Sequence, residues 1–348
     1  MRIYSVSRNR SLRGEGLGNE LIPAAKSYLC ARALGATQIA HSWGLNPRGY
    51  RHLFGTSVFD VVSPRLATVV LPHREITRAD WLSERTDDYG QLSVRVLEER
   101  PFPAWAPVGA LIHADMWGGY ALIDPARHWI RSVLLSAVGA SERMIAFQRS
   151  TAGASFKVGI HVRRGDFDAL KGNIKGSYNI AIPIDWYRSV LSHILPVLPI
   201  DSVVCVFSDS PIEVGELLPA NARGVQAWQP AFPGHDTADL LALASCDLIL
   251  CSVSAYSTMA AWLARKPYVW LRDQMQEQSG RFSIWGKEAL EGNWLQAESL
   301  TAAPGTRCSP CIPAAMDGSL NLKHLERVMA EGFSEERQDD PLRYGCTA

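Results

Sequence analysis

The sequence has no excess of either charge: 35 Lys and Arg balance 35 Asp and Glu over 348 residues. A long phosphate footprint needs a positive surplus, so nucleic-acid binding by the bulk of the chain is excluded, although a local basic site is not. No run of apolar residues is long enough to form a transmembrane segment. The most apolar stretch, Leu240 to Val253, falls short of the ~20 residues a span requires and carries Asp247. The opening MRIYSVSRNRSLRGEG lacks the apolar core of a signal peptide, which makes a cytoplasmic location the expectation. Cysteine is sparse and odd in number, seven in all, as expected of free thiols in a reducing compartment. Cys308 and Cys311 have metal or redox spacing, but no second pair follows to complete a zinc set, and a loop with two thiols is the simpler reading. Repeats and low-complexity segments are absent too.

What is present is a globular composition, 47% apolar and 20% charged, in a length that suits about two domains. Ile3 to Val6 reads as a strand, Arg13 to Asn19 as a glycine-rich loop, and Glu20 to Leu34 as a helix with Pro23 in its first turn and Gly35 ending it. Thr37 to His41 completes a βαβ unit. Further on, Ala67 to Leu71 reads as a strand and Trp129 to Val138 as a helix. Pro101 to Pro107 is too rich in proline for regular structure. Gln148 to Ser155, polar and small, reads as a linker. Beyond it strands and helices alternate: strands at Lys157–Val162, Ser202–Phe207, Val225–Trp228, Leu248–Cys251 and Tyr268–Leu271, helices at Ile184–Val197, Thr237–Ser245 and Tyr256–Ala264. A terminal helix covers Asn321–Glu331. The pattern is that of an α/β protein with parallel sheets. The domains are expected at 1–150 and 151–333, with a loose tail at 334–348.

Three segments carry chemistry. The first is Gly159-Ile160-His161-Val162-Arg163-Arg164-Gly165-Asp166-Phe167, an apolar strand running into two arginines. Adjacent guanidiniums at a strand end suit a diphosphate, which they grip with forked N–H donors. Asp166 is placed to hold one of them; an ordinary surface Arg–Asp pair is the plainer alternative. Asp166-Phe167-Asp168 imitates a metal-binding Asp-x-Asp, but a hard cation would compete with the arginines for the same phosphates, so no metal is expected. The second segment runs from Asp239 to Ser257, a helix and a strand followed by a serine-rich turn that opens another helix. Its hydroxyls and free N–H groups suit an anion, and capping by Ser254 or Ser257 is expected in any case. The third, Gly16-Leu17-Gly18-Asn19 before a helix, lacks the full dinucleotide fingerprint.

Together these segments resemble the superfamily of GDP-fucose-dependent fucosyltransferases, which includes the α-1,2 and α-1,6 enzymes, the rhizobial nodulation enzyme and the protein O-fucosyltransferases. The superfamily's His-x-Arg-Arg-x-Asp corresponds to His161-Val162-Arg163-Arg164-Gly165-Asp166. Its opening Gly-x-Gly-Asn-Gln corresponds to Gly16-Leu17-Gly18-Asn19-Glu20, with Glu20 in place of glutamine. A late serine-rich motif of the bacterial α-1,2 enzymes is tracked from Ser252 to Leu263, with Ala255 for serine, Tyr256 for phenylalanine, Thr258-Met259 for two tryptophans and Ala260 for glycine. Gly119-Tyr120 echoes their middle region. The likeness is strong at Gly16–Glu20 and from Val158 to Leu263, and weak from Trp43 to Met116 and beyond Pro267.

The resemblance implies a GT-B-like fold, two Rossmann-like α/β domains facing a cleft, with the acceptor on the N-terminal side and the GDP-sugar in the C-terminal domain. It implies inverting, metal-independent transfer of fucose, without a cofactor, to a glycan, peptide or small-molecule hydroxyl. Arg163 would grip the β-phosphate, and Arg164 would share that task or lock the loop against Asp166. His161 would lie near ribose or guanine. Asp239 would read guanine through N1–H and N2–H, the alternative being a solvated helix residue. Gly16, Gly18 and Asn19 belong to the donor-binding set, and Ser254, the Ala255 backbone, Tyr256 and Ser257 would cap the diphosphate. No acceptor base presents itself; Glu15, Glu20, His113 and Asp115 only flank the expected cleft loops. Another GDP-sugar as donor, or a catalytically silent GDP-sugar binder, stays open.

Overall fold

The computed structural model describes residues 1–8, 12–45, 47–84, 86, 88–117, 119, 120, 122–165, 168, 169, 180–222, 224–231, 234–278, 281–283, 295, 296 and 311–331. The chain divides into two compact units, Met1–Ser141 and a second that begins at Glu142.

The first unit is built on a four-stranded parallel sheet. Its strands are β1 (Arg2–Ser7), β2 (Thr37–Gln38), β3 (His73–Ile76) and β4 (Val108–His113), in the order β2-β1-β4-β3. Helix α1 (Leu17–Leu34) joins β1 to β2 and is buried along most of its length. It starts three residues before the expected Glu20, so Pro23 lies in the second turn, where its missing N–H removes a helical bond. Gly35 ends the helix in the left-handed conformation, φ 61°, and donates to the Ala31 carbonyl. Val6, Ala110 and Ile112 form a core cluster of the sheet, with Tyr4, Ile39 and Leu71 packed against it.

The strand expected at Ala67–Leu71 is not there. Those residues end helix α2 (Val58–Val70). A capping box starts it: the Ser57 hydroxyl accepts from the Asp60 N–H at 3.2 Å, and the Asp60 carboxylate accepts from the Ser57 N–H at 2.7 Å. The helix buries Val61 and Pro64 and leaves Val69 and Val70 exposed, so the β-branched run was a poor guide to its conformation. Helices α3 (Tyr89–Glu99) and α4 (Arg127–Ser136) complete the unit's main elements.

Helix α5 (Ala140–Ser150) begins in the last two residues of the first unit and runs into the second, and its end occupies the first part of the expected linker. Its polar sequence conceals one anchor: Phe147 is buried against Trp228, with ring centres 4.7 Å apart, and against Phe207 at 6.2 Å. Then come β5 (Lys157–Val162), α6 (Ile184–Ile194), β6 (Val203–Ser208), β7 (Gln226–Trp228), α7 (Asp236–Ala244), β8 (Leu248–Leu250), α8 (Ala255–Ala264), β9 (Tyr268–Leu271), β10 (Cys311–Ala314) and α9 (Leu322–Glu331). Their six-stranded parallel sheet has the order β7-β6-β5-β8-β9-β10. Counted from β5, that is 3-2-1-4-5-6, the order of doubly wound nucleotide-binding sheets. Strands β5 to β9 lie where their apolar runs predict. β10 escaped notice because it contains Pro313, which a sheet tolerates at an edge. Cys311 is buried in this strand, and burial pushes its thiol up to about 12, which keeps it protonated; Cys308 and the tail 334–348 lie outside the described residues.

Gly159 lies in the middle of β5, two positions before His161. A methyl group there would meet Leu243 Cδ1 at 2.7 Å and Cys246 Cβ at 3.0 Å, so α7 sits on bare backbone. Gly159→Ala should therefore overpack the sheet and lower the unfolding free energy by about 1–3 kcal/mol, read from a urea melt. An unchanged midpoint would show that α7 can back away.

Candidate functional site

In a doubly wound sheet, ligands bind beyond the carboxyl ends of the strands where the order reverses. In the second unit that point lies between β5 and β8. Arg163 and Arg164 leave the end of β5, and the turn from Cys251 to Ser254 leaves the end of β8, so two sequence-predicted segments meet there.

The register of β5 with β6 places a third group. Val162 stands opposite Ser208, so the next residues, Arg163 and Asp209, emerge side by side. Arg163 Nη1 lies 2.9 Å from Asp209 Oδ2. The same carboxylate accepts the backbone N–H of Arg164 at 2.7 Å and of Gly165 at 2.9 Å. Asp209 thus anchors the arginine loop. Asp166 lies outside the described residues, as do the side chain of Asp168 and the metal reading built on the pair. Among the described residues no group of three or more His, Cys, Asp or Glu could hold a metal ion. The available signal for Asp209 was its position just past a buried strand, in Phe207-Ser208-Asp209-Ser210.

His161 is buried beneath this loop. Its Nδ1 is hydrogen-bonded to Ser257 Oγ at 2.6 Å and Ser252 Oγ at 2.8 Å, and its ring stacks on Tyr256 at 4.7 Å. Burial, reinforced by the charge of Arg163, lowers its pKa to about 3, so the imidazole is neutral at physiological pH. Ser257 is fully buried and turned toward His161, which differs from the expected place against a diphosphate. Ser254 caps α8 by accepting from the Tyr256 N–H at 3.2 Å, and Ser254, Ala255 and Tyr256 stay partly exposed. The Tyr256 hydroxyl donates to the Asp236 carbonyl at 2.6 Å, tying the start of α8 to the start of α7.

Asp239 lies in the first turn of α7 and is 8% exposed, which removes the solvated reading. It accepts the His235 N–H at 3.0 Å, while His235 Nδ1 accepts the Ala238 N–H at 3.3 Å, so both groups cap the helix. Burial pushes the Asp239 carboxyl up to about 7; the His235 N–H opposes this and the nearby Asp236 adds to it.

The glycine loop belongs to the first unit. Gly16 is the N-cap of α1, and Gly18 and Asn19 fall in its first turn. The sterically demanding glycines are others: Gly14, at φ 74°, and Gly44 touch backbone to backbone. The buried Glu20 carboxylate fixes this crossing by accepting the Glu15 N–H at 2.8 Å and the Gly44 N–H at 3.4 Å, with His41 Nε2 at 3.3 Å.

No family model matches the chain. Curated relatives do: galactoside alpha-(1,2)-fucosyltransferase 1 of Saimiri sciureus is 25% identical over 243 residues, covering 67% of this chain and 60% of that protein. The corresponding protein of Lagothrix lagotricha is 24% identical over the same length. The chain therefore spans about three fifths of the length of the curated relatives it matches. Among solved structures, POFUT1 in complex with GDP aligns at a TM-score of 0.44 and 12% identity, over 76% of this chain and 95% of that one. The NodZ alpha-1,6-fucosyltransferase soaked with GDP-fucose aligns at 0.40 and 13%, over 75% and 91%. The second unit is thus a doubly wound α/β domain with an arginine loop at its switch point. The chain is similar to α-1,2-fucosyltransferases in sequence, which agrees with the resemblance of its motifs. Among the described residues no helix is long and apolar enough to cross a membrane.

Asp209→Asn keeps an acceptor oxygen but removes the charge facing Arg163. It should destabilise the second unit by about 1–3 kcal/mol, read from chemical denaturation, because two backbone N–H groups and a guanidinium lose an ionised partner. A variant as stable as the wild type would remove Asp209 from its anchoring role.

Proposed function

We propose that this chain is an inverting fucosyltransferase that moves fucose from GDP-fucose to a hydroxyl acceptor. The observation that carries the reading is the arginine loop at the switch point, anchored by Asp209 and backed by a neutral histidine, in a chain whose curated relatives are fucosyltransferases. When the bond from fucose C1 to the β-phosphate oxygen breaks, negative charge collects on GDP and the sugar becomes oxocarbenium-like. A cation fixed in advance stabilises that charge more than it stabilises the ground state. Arg163 performs this role, with Arg164 beside it. The two arginines supply the positive charge that a divalent ion would otherwise bring, so the reaction requires neither metal nor cofactor. The acceptor oxygen attacks C1 from the side opposite the departing phosphate, the C1–O bond to GDP breaks, and the hydroxyl proton passes to solvent. The name of the relatives makes a galactoside the first acceptor to try.

Arg163→Lys keeps the charge but loses the planar fork. Turnover of GDP-fucose, followed as released GDP, should fall by about 10²-fold or more. Near-normal turnover would take Arg163 out of the mechanism.

Asp239 is the group proposed to read the base. Guanine offers it N1–H and N2–H, whereas adenine offers a lone pair at N1, so GDP should bind about 10²-fold or more tighter than ADP in calorimetry. Only the carboxylate form accepts both hydrogens. With its pKa near 7, affinity for GDP-fucose should be full above that pH and decline as the pH falls below it. Asp239→Asn retains an oxygen for the His235 N–H and should flatten both the base preference and the pH dependence. Equal affinities for GDP, ADP and UDP in the wild type would sink the GDP-sugar reading.

A further inference from the structure

Helix α2 commits only one side to its own unit. Val61 and Pro64 point inward and are buried. The opposite side carries Val58, Phe59, Val62, Leu66, Val69 and Val70, with Ser63 and Arg65 only at its margins. Five of the six are 50–83% exposed, and Val62 is half-buried. Single exposed apolar residues are ordinary, but a charge-free stripe along a whole helix marks a surface that something covers.

Two properties of the stripe say what covers it. The first is its spacing. Phe59, Val62, Leu66 and Val69 recur at intervals of three, four and three residues, the spacing at which side chains of one helix enter the gaps of another. The full set also reads the same in both directions about Pro64: Val58 mirrors Val70, Phe59 mirrors Val69, and Val62 mirrors Leu66. A face that is its own reverse is what a two-fold axis demands of a contact between identical chains. Antiparallel pairing sets the larger Phe59 and Leu66 against the smaller Val69 and Val62, which fills the contact evenly. Parallel pairing would crowd phenylalanine on phenylalanine at one end and leave valine facing valine at the other.

The second property is area. At ~120 Å² for an aliphatic side chain and ~200 Å² for phenylalanine, the five exposed residues present about 450 Å² of apolar surface. A standard interface covers about 800 Å² per partner and is about 57% apolar, which again is about 450 Å². We propose that the outer face of α2 is the interface of a two-fold homodimer, in which α2 packs antiparallel on its own copy. The inference stands apart from the transferase reading, because the stripe shares no residue with the arginine loop.

Sedimentation velocity of the full chain from ~1 to ~100 µM should show monomer giving way to dimer. Val69→Lys places one ammonium group from each copy in the contact and should raise the dimer dissociation constant by about 10²-fold or more. The exposed position near a helix end suits lysine, so circular dichroism should show the variant folded as before. The same change at Ile200, which is almost fully exposed elsewhere, should leave the constant unchanged. Phe59→Cys combined with Val69→Cys should give a disulfide-linked dimer on oxidation with copper phenanthroline, above the wild-type background. Either cysteine alone lies about 15 Å along the axis from its own copy, ten residues at 1.5 Å, and should not link. A chain that stays monomeric throughout overturns the proposal, and a monomer that floats with phosphatidylcholine vesicles does so by giving the face to lipid. A dimer untouched by Val69→Lys, or one linked through either single cysteine, overturns it as well.

Discussion

The arrangement of the second unit depends on one carboxylate. Two arginines leave β5 in succession, and two adjacent cations above a buried histidine would spread apart without a counter-charge. Asp209 supplies it, together with acceptors for the two backbone N–H groups that follow Arg163. A fixed carboxylate of this kind holds the Arg163 guanidinium and the backbone of the two residues that follow it. From it a chain of contacts runs inward: the arginine loop over His161, His161 to Ser252 and Ser257, the imidazole to the Tyr256 ring, and the Tyr256 hydroxyl to the start of α7. The arginine loop and the residues that hold the helix starts are therefore one connected system.

Both units solve the same electrostatic problem in the same way. Each buries a histidine at the end of a central strand and keeps it neutral, His161 in the second unit and His113 in the first, each lowered to about 3 by burial. Each nearby cation is held by an oxygen, Asp209 for Arg163 and the Asp115 carbonyl for Lys26. The difference lies in what is presented. The second unit offers guanidiniums, which suit phosphate. The first keeps its cation, Lys26, wholly buried.

The strands of the second unit were legible because a sheet buried on both faces demands uninterrupted apolar runs, and Ser202–Phe207 or Tyr268–Leu271 can hardly be read otherwise. The linker and the strand at Ala67–Leu71 were misread for a complementary reason. In α2 a two-residue capping box outweighed a β-branched run, and in α5 a single phenylalanine among polar residues tied the helix to β6 and β7. Local composition is a poor guide where one cap or one anchor decides.

The order of residues alone reveals the chemical groups and their strand-end positions: His161, Arg163 and Arg164 with one apolar run, the serines after another, Asp239 on the helix between. It also shows Glu20 standing beside the glycine loop where the superfamily's motif has glutamine. The partners of these groups come from the fold. Asp209 meets Arg163 because β6 lies beside β5 in one particular register, Gly44 meets Gly14 because two loops cross, and Lys26 meets Asp115 because α1 packs under the end of β4. Each of these contacts joins residues far apart in the chain. Strand order and register are properties of the whole sheet, set by how all its apolar faces are buried at once, and no local pattern of residues encodes them.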